Sequence, residues 1–183
     1  MKKSIKIIAA AFMVLVTMSS CDNDPSLQQY YVENTENADF LSLDIPVSTL
    51  GVDTGKFSAS EKEAYESVRK LNVLAFKLNE SNKMEYGIEQ EKVNAILKNP
   101  NYNELMRMGT GGKGAVVKYL GDDDSIDEVV IFGKDDEMGF ALVRVLGDNM
   151  NPANMVQLMK AMENADFDGN GQLKELENFL KKS

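Results

Sequence analysis

The residue pattern predicts an α+β protein: an antiparallel four-stranded sheet with helices on one face, plus a C-terminal helix-loop-helix. Three observations carry this. Stretches rich in apolar residues at 115–120, 128–132 and 140–146 follow one another on short acidic turns, as the strands of a meander do. Helical spacing precedes and follows that run without interrupting it. A cation-loop spacing then stands between two short amphipathic stretches near the C-terminus.

The first twenty residues read as a targeting segment. Lys2, Lys3 and Lys6 precede an apolar stretch from Ile7 to Met18, too short for a membrane span. Met18-Ser19-Ser20-Cys21 follows, and Cys21 is the chain's only cysteine. This resembles the lipobox of bacterial lipoproteins, with Met18 where leucine is typical. The resemblance implies cleavage before Cys21 and acylation of its thiol and new amine, so that lipid rather than a protein span holds the chain to a membrane. The expected location is the extracytoplasmic side of the cell envelope, with the outer membrane favoured. A lone cysteine leaves no intramolecular disulfide.

Residues 21–39 are polar and acidic and read as a flexible tether, with Tyr30, Tyr31 and Val32 its one apolar cluster. Residues 40–150 read as the α+β domain. Phe40 to Leu50 turns apolar, and Pro46 argues against a central strand there. Ser60 and Glu63 have capping-box spacing for a helix whose stripe is Ala64, Val68 and Leu71. Val73 to Leu78 supplies the fourth strand. Met84 to Leu97 has helical spacing and ends before Asn99-Pro100. Asn103 to Met108 reads as a short helix and Gly109 to Gly114 as a loop. The last segment, 151–183, opens with Asn151 as a cap and Pro152 in the first helical turn. Met150, Met155, Met159 and Met162 cluster there; methionine-rich grooves can bind partner helices, but this spacing points first to core packing.

Asp166 to Glu177 reads D-F-D-G-N-G-Q-L-K-E-L-E and meets the calcium-loop pattern D-x-[DN]-x-[DN]-G-x5-E at every defined position. A hard cation needs several oxygens around one point. Asp166, Asp168 and Asn170 can converge only if the chain turns sharply at Gly171. Lys174, at the ninth position, has no acceptor to offer. The segment resembles the EF-hand family, over about residues 152–182. That resemblance implies calcium ligands at Asp166, Asp168, Asn170, the Gln172 carbonyl and Glu177. EF-hands usually pair, and no second loop is present in the sequence.

The region 40–160 is also similar to a family of small Gram-negative lipoproteins classed only as a domain of unknown function. The residues that carry this are L-D-I-P at 43–46, L-N-V-L-A-F at 71–76, Y-N-E-L-M at 102–106, I-D-E-V-V-I-F at 126–132 and V-R-V-L-G-D-N-M-N-P at 143–152. No activity follows from it.

Composition narrows the function classes. The chain has no histidine, which removes a histidine base, histidine zinc ligands and a Ser-His-Asp triad. With Cys21 acylated, no thiol nucleophile is left. G-T-G-G-K-G at 109–114 lacks P-loop spacing. A formal net charge of −9, more negative once the signal lysines are removed, repels phosphate backbones, so nucleic acid is not an expected partner. The expected function is therefore non-catalytic: a lipid-anchored extracytoplasmic protein that binds one structural calcium ion. The alternative is an envelope lipoprotein acting through protein–protein interaction, its acidic loop incidental.

Overall fold

The computed structural model describes residues 25–122, 125–162 and 171–181. The strands are β1 (Phe40–Pro46), β2 (Val68–Lys77), β3 (Tyr102–Thr110), β4 (Lys113–Asp122), β5 (Ser125–Asp135) and β6 (Gly139–Met150). They form one antiparallel sheet in the order β1-β2-β6-β5-β4-β3. The helices are α1 (Leu27–Asn34), α2 (Ala59–Ser67), α3 (Lys83–Leu97), α4 (Pro152–Met162) and α5 (Gln172–Lys181). From β2 the chain crosses to the far edge through α3, then returns strand by strand until β6 seals against β2.

The expected four-stranded sheet with helices on one face is corrected on both counts. The sheet has six strands, and helices cover both of its faces. The two strands missing from the sequence reading are its edges. Pro46 does exclude a central strand, but β1 is an edge strand and ends at that proline. Asn103 to Met108 is rich in residues that favour helices, yet it lies in β3. The cause is the adjoining turn. Thr110 pairs with Lys113, and the two residues between them, Gly111 and Gly112, have φ of 58° and 87°. Positive φ at both central residues makes a tight hairpin, which outweighs the local helical preference.

Helices sit on both faces because the central strands are apolar on both. Leu74, Phe76, Phe132, Phe140 and Leu142 face α1 and α3, meeting Leu27, Tyr31, Val93 and Leu97. Val117, Val129 and Val145 turn to the opposite face and meet Ala64 of α2 with Met155 and Leu158 of α4. Leu176 of α5 joins that second side beside Leu43, Ile45 and Val73. On the first face the aromatic rings form one cluster. Phe76 and Phe140, paired across β2 and β6, stack with centroids 5.4 Å apart, while Phe40 meets Phe76 edge-on at 5.0 Å.

Two local boundaries also shift. The capping box is Ser58 with Glu61, so α2 starts earlier than Ser60 and Glu63 indicate. The helix ends at Ser67, and Val68 and Leu71 belong to β2 rather than to a helical stripe. The stretch read as a tether contains α1, capped by Ser26, with Leu27, Tyr30 and Tyr31 buried and Val32 exposed.

Phe140 contacts Phe40, Phe76 and Phe132 and is 1 % exposed. Phe140→Ala is expected to cost about 3–5 kcal/mol of folding stability, read as a lower urea midpoint at unchanged slope.

Candidate functional site

Two regions concentrate chemistry: the acidic segment between α4 and α5, and a polar cluster beneath α1.

The helix before the acidic segment starts as its residues require. Asn151 caps α4 by accepting from the Asn154 amide at 3.1 Å, with Pro152 in the first turn. Asp166, Asp168 and Asn170 lie outside the described residues, as does Cys21. Gly171 is described, and its φ of 102° is the positive value that the sixth position of the calcium pattern requires. Gln172 departs from the pattern. It opens α5, and the Glu175 amide already donates to the Gly171 carbonyl at 3.2 Å. The Gln172 carbonyl is then directed along the helix axis. The physical reason is propensity: Gln172-Leu173-Lys174-Glu175-Leu176 are all good helix formers, so the chain turns helical directly after the glycine. Glu177 lies within α5, anchored through Leu176 to the second face of the sheet. Among the described residues, no three carboxylates or other ligating side chains come together as a metal site.

The second region was not singled out in the sequence. Arg144, on β6, places its guanidinium against Glu128 of β5 through two parallel hydrogen bonds, at 3.0 and 2.7 Å. Glu128 is buried and Arg144 largely so, at 6 % and 11 % side-chain exposure. A third guanidinium nitrogen donates to Gln28 Oε1 of α1 at 2.8 Å, and the same group lies 5.5 Å from the centroid of the Tyr31 ring. The Tyr31 hydroxyl reaches the carbonyls of Leu142 at 2.6 Å and Asn72 at 2.9 Å, on the paired strands β6 and β2. Asn72 in turn donates to Asp44 of β1. From the adjacent position, the Tyr30 hydroxyl donates to Glu89 of α3 at 2.7 Å, and Lys92 closes on the same carboxylate at 2.6 Å. The signal for this cluster was present: Glu128 and Arg144 are charged residues inside otherwise apolar strand runs, a placement that costs stability without a partner.

Every strong polar group in this cluster is satisfied by another, so its chemistry is cohesion. It bonds α1 directly to β2 and β6 and links these in turn to β1 and β5. Burial pushes the hydroxyls of Tyr30 and Tyr31 far above the ordinary phenol range, with Glu89 adding to the effect on Tyr30. Burial also pushes Tyr86 and Tyr102 up to about 12, with nearby carboxylates adding to it.

Two tests follow from this geometry. Arg144→Ala leaves Glu128 buried without its partner and is expected to cost about 3–5 kcal/mol, whereas the double variant Glu128→Leu, Arg144→Met should lose far less. Chemical denaturation of the two variants separates these outcomes. The tyrosines also set the alkaline limit. Their folded pKa values lie above the unfolded value of about 10, so between pH 10 and 12 the unfolded chain binds fewer protons than the folded one. Stability should be level below pH 10 and fall as pH rises toward 12. Absorbance at the tyrosinate band should show these groups ionising together with unfolding.

Comparison with known proteins gives one match. A family model described as a domain of unknown function, DUF4252, matches residues 30–178. That span takes in the latter part of α1 at one end and most of α5 at the other, beyond the 40–160 region marked by the sequence similarities. No curated protein and no solved structure matches the chain. The match covers most of the chain, and the protein belongs to the DUF4252 family of domains of unknown function.

Proposed function

We propose that this protein is a non-catalytic, lipid-anchored domain of the bacterial cell envelope that takes up one calcium ion in its C-terminal helix-loop-helix. The observation that carries the reading is the twelve-residue spacing from Asp166 to Glu177, with α4 before it and α5 over its second half. It resembles an EF-hand loop, with Asp166, Asp168, Asn170, the Gln172 carbonyl and Glu177 as the ligand set. The φ of Gly171 supports this set. The helical start at Gln172 means that uptake opens the first turn of α5, freeing that carbonyl, while Leu176 keeps the helix against the sheet. Calcium acts here as a structural clamp on the last helix, and its affinity falls at the weak end for such loops, about 10⁻⁴–10⁻³ M.

The anchor is the acylated Cys21, with the lipobox-like Met18-Ser19-Ser20-Cys21 as its support. No described helix is long and apolar enough to cross a membrane. Because α1 packs on the sheet from Leu27 onward, only residues 22–26 separate that anchor from the folded domain. A chain of that length reaches at most roughly 20 Å. The domain is then held close to the membrane surface, with its acidic side chains in a calcium-rich compartment.

A second reading, protein–protein interaction in the envelope, rests on β3. This nine-residue edge strand pairs with β4 on one side and with no described strand on the other.

Thermal unfolding of the full chain in 1 mM calcium and in chelator tests the first reading. At the affinity given, calcium should add about 0.4–1.4 kcal/mol, a rise of roughly 1–5 °C. Glu177→Gln should abolish the rise and leave the chelator value unchanged. Equal melting in both conditions would assign the acidic segment to a solvated turn and leave the interaction reading.

A further inference from the structure

The second face of the sheet encloses a cavity of about 360 Å³ that the preceding reading does not use. Val117, Ile131 and Val145 contribute from β4, β5 and β6, and Met155, Leu158 and Met159 from α4. Ala115, Met106 and Met108 extend the lining toward the β3 edge. The cavity opens to solvent there, since Met108 is 45 % exposed. Lys160, on the exposed side of α4, is the one charged residue among the described lining residues.

We propose that this cavity binds the alkyl chain of a single-chain anionic amphiphile, a free fatty acid, with its carboxylate beside Lys160. The size is at the low end of the range for small-molecule sites, about 300–1,000 Å³, which suits one alkyl chain rather than a whole two-chain lipid. The described lining residues supply apolar surface without a converging set of polar groups, so they have nothing to recognise in a sugar, nucleotide or polar peptide. An alkyl chain needs only that surface. Methionine adds a second fit: its unbranched, polarisable side chain adapts to flexible ligands of unequal length, and Met106, Met108, Met155, Met159 and Met162 all line the space. Charge selects the head group. Lys160 has a contact of its own, and an ammonium has three donors. On a chain of net charge −9, a cation at the edge of an apolar cavity is a local feature that favours an anionic head.

The test is a titration of the full chain with cis-parinarate, a fluorescent fatty acid, followed by competition with dodecanoate and with 1-dodecanol. One saturable site is expected, displaced by dodecanoate at lower concentration than by 1-dodecanol. Ala115→Phe and Met106→Trp each place bulk in the cavity and should abolish probe binding while far-ultraviolet dichroism stays that of the parent. If either fails to fold, the other decides. Lys160→Gln should weaken dodecanoate roughly two- to fivefold, the range of an exposed ion pair, and leave 1-dodecanol unchanged. Absence of a saturable site overturns the proposal, as does probe binding that survives in a folded cavity-filling variant. Equal competition by acid and alcohol overturns the role of Lys160. A concentration-dependent dimer that Met108→Glu disrupts, with no probe bound, would assign the cavity to a second copy of the chain and overturn the proposal as well.

Discussion

The ladder between β2 and β6 is the contact on which the rest of the molecule depends. It joins residues about seventy positions apart, pairing Asn72 with Arg144, Leu74 with Leu142 and Phe76 with Phe140. Closing so long a loop is entropically costly, and the return comes from side chains on both faces of the joined strands. On one face the ladder brings Phe76 onto Phe140; on the other it brings Val73 beside Val143. β1 then lies on one side of the joined pair, against β2, and β5, β4 and β3 follow on the other, beyond β6. Both faces of the central strands are then apolar and require cover.

The cover on the first face is coupled to the ladder by polar bonds as well as by burial. The hydroxyl of Tyr31 reaches one carbonyl on each of the two paired strands, and its ring lies against Arg144. Arg144 is held by Glu128 from the next strand. A buried ion pair is weak evidence for net stability, because desolvation offsets much of the attraction. What this one does is geometric: a forked guanidinium matched to a carboxylate fixes the register of β5 against β6 and leaves its third nitrogen for α1. α1 is thereby tied to the middle of the sheet, not to its rim.

The second face is covered differently. α2 and α4 pack on each other and over the central strands, and α5 lies over β1 and β2. Toward β3 and β4 the cover supplied by the described residues is incomplete, and methionines line what they leave open. The same face of the sheet therefore carries α4, α5 and the apolar cavity, with α1 on the other.

Much of this was readable from local pattern. The three meander strands, α3 and the helix after Pro152 follow from spacing and caps, because their signals lie within a few residues of the structure they specify. The twelve-residue acidic pattern is equally local, and so is the left-handed backbone at Gly171. Sheet width and layer number were not local properties. β3 has helix-forming residues and becomes a strand because the Gly111-Gly112 turn folds it onto β4. The runs at 73–76 and 129–132 are apolar at successive positions rather than alternate ones, the mark of a strand buried on both sides, and only the packed structure shows which helix takes which face. The polar cluster and the cavity draw their residues from four or more separate elements, so no spacing along the chain announces them. Short-range periodicity specifies elements; the union of distant side chains into a bond or a cavity is decided by the order in which the strands pair.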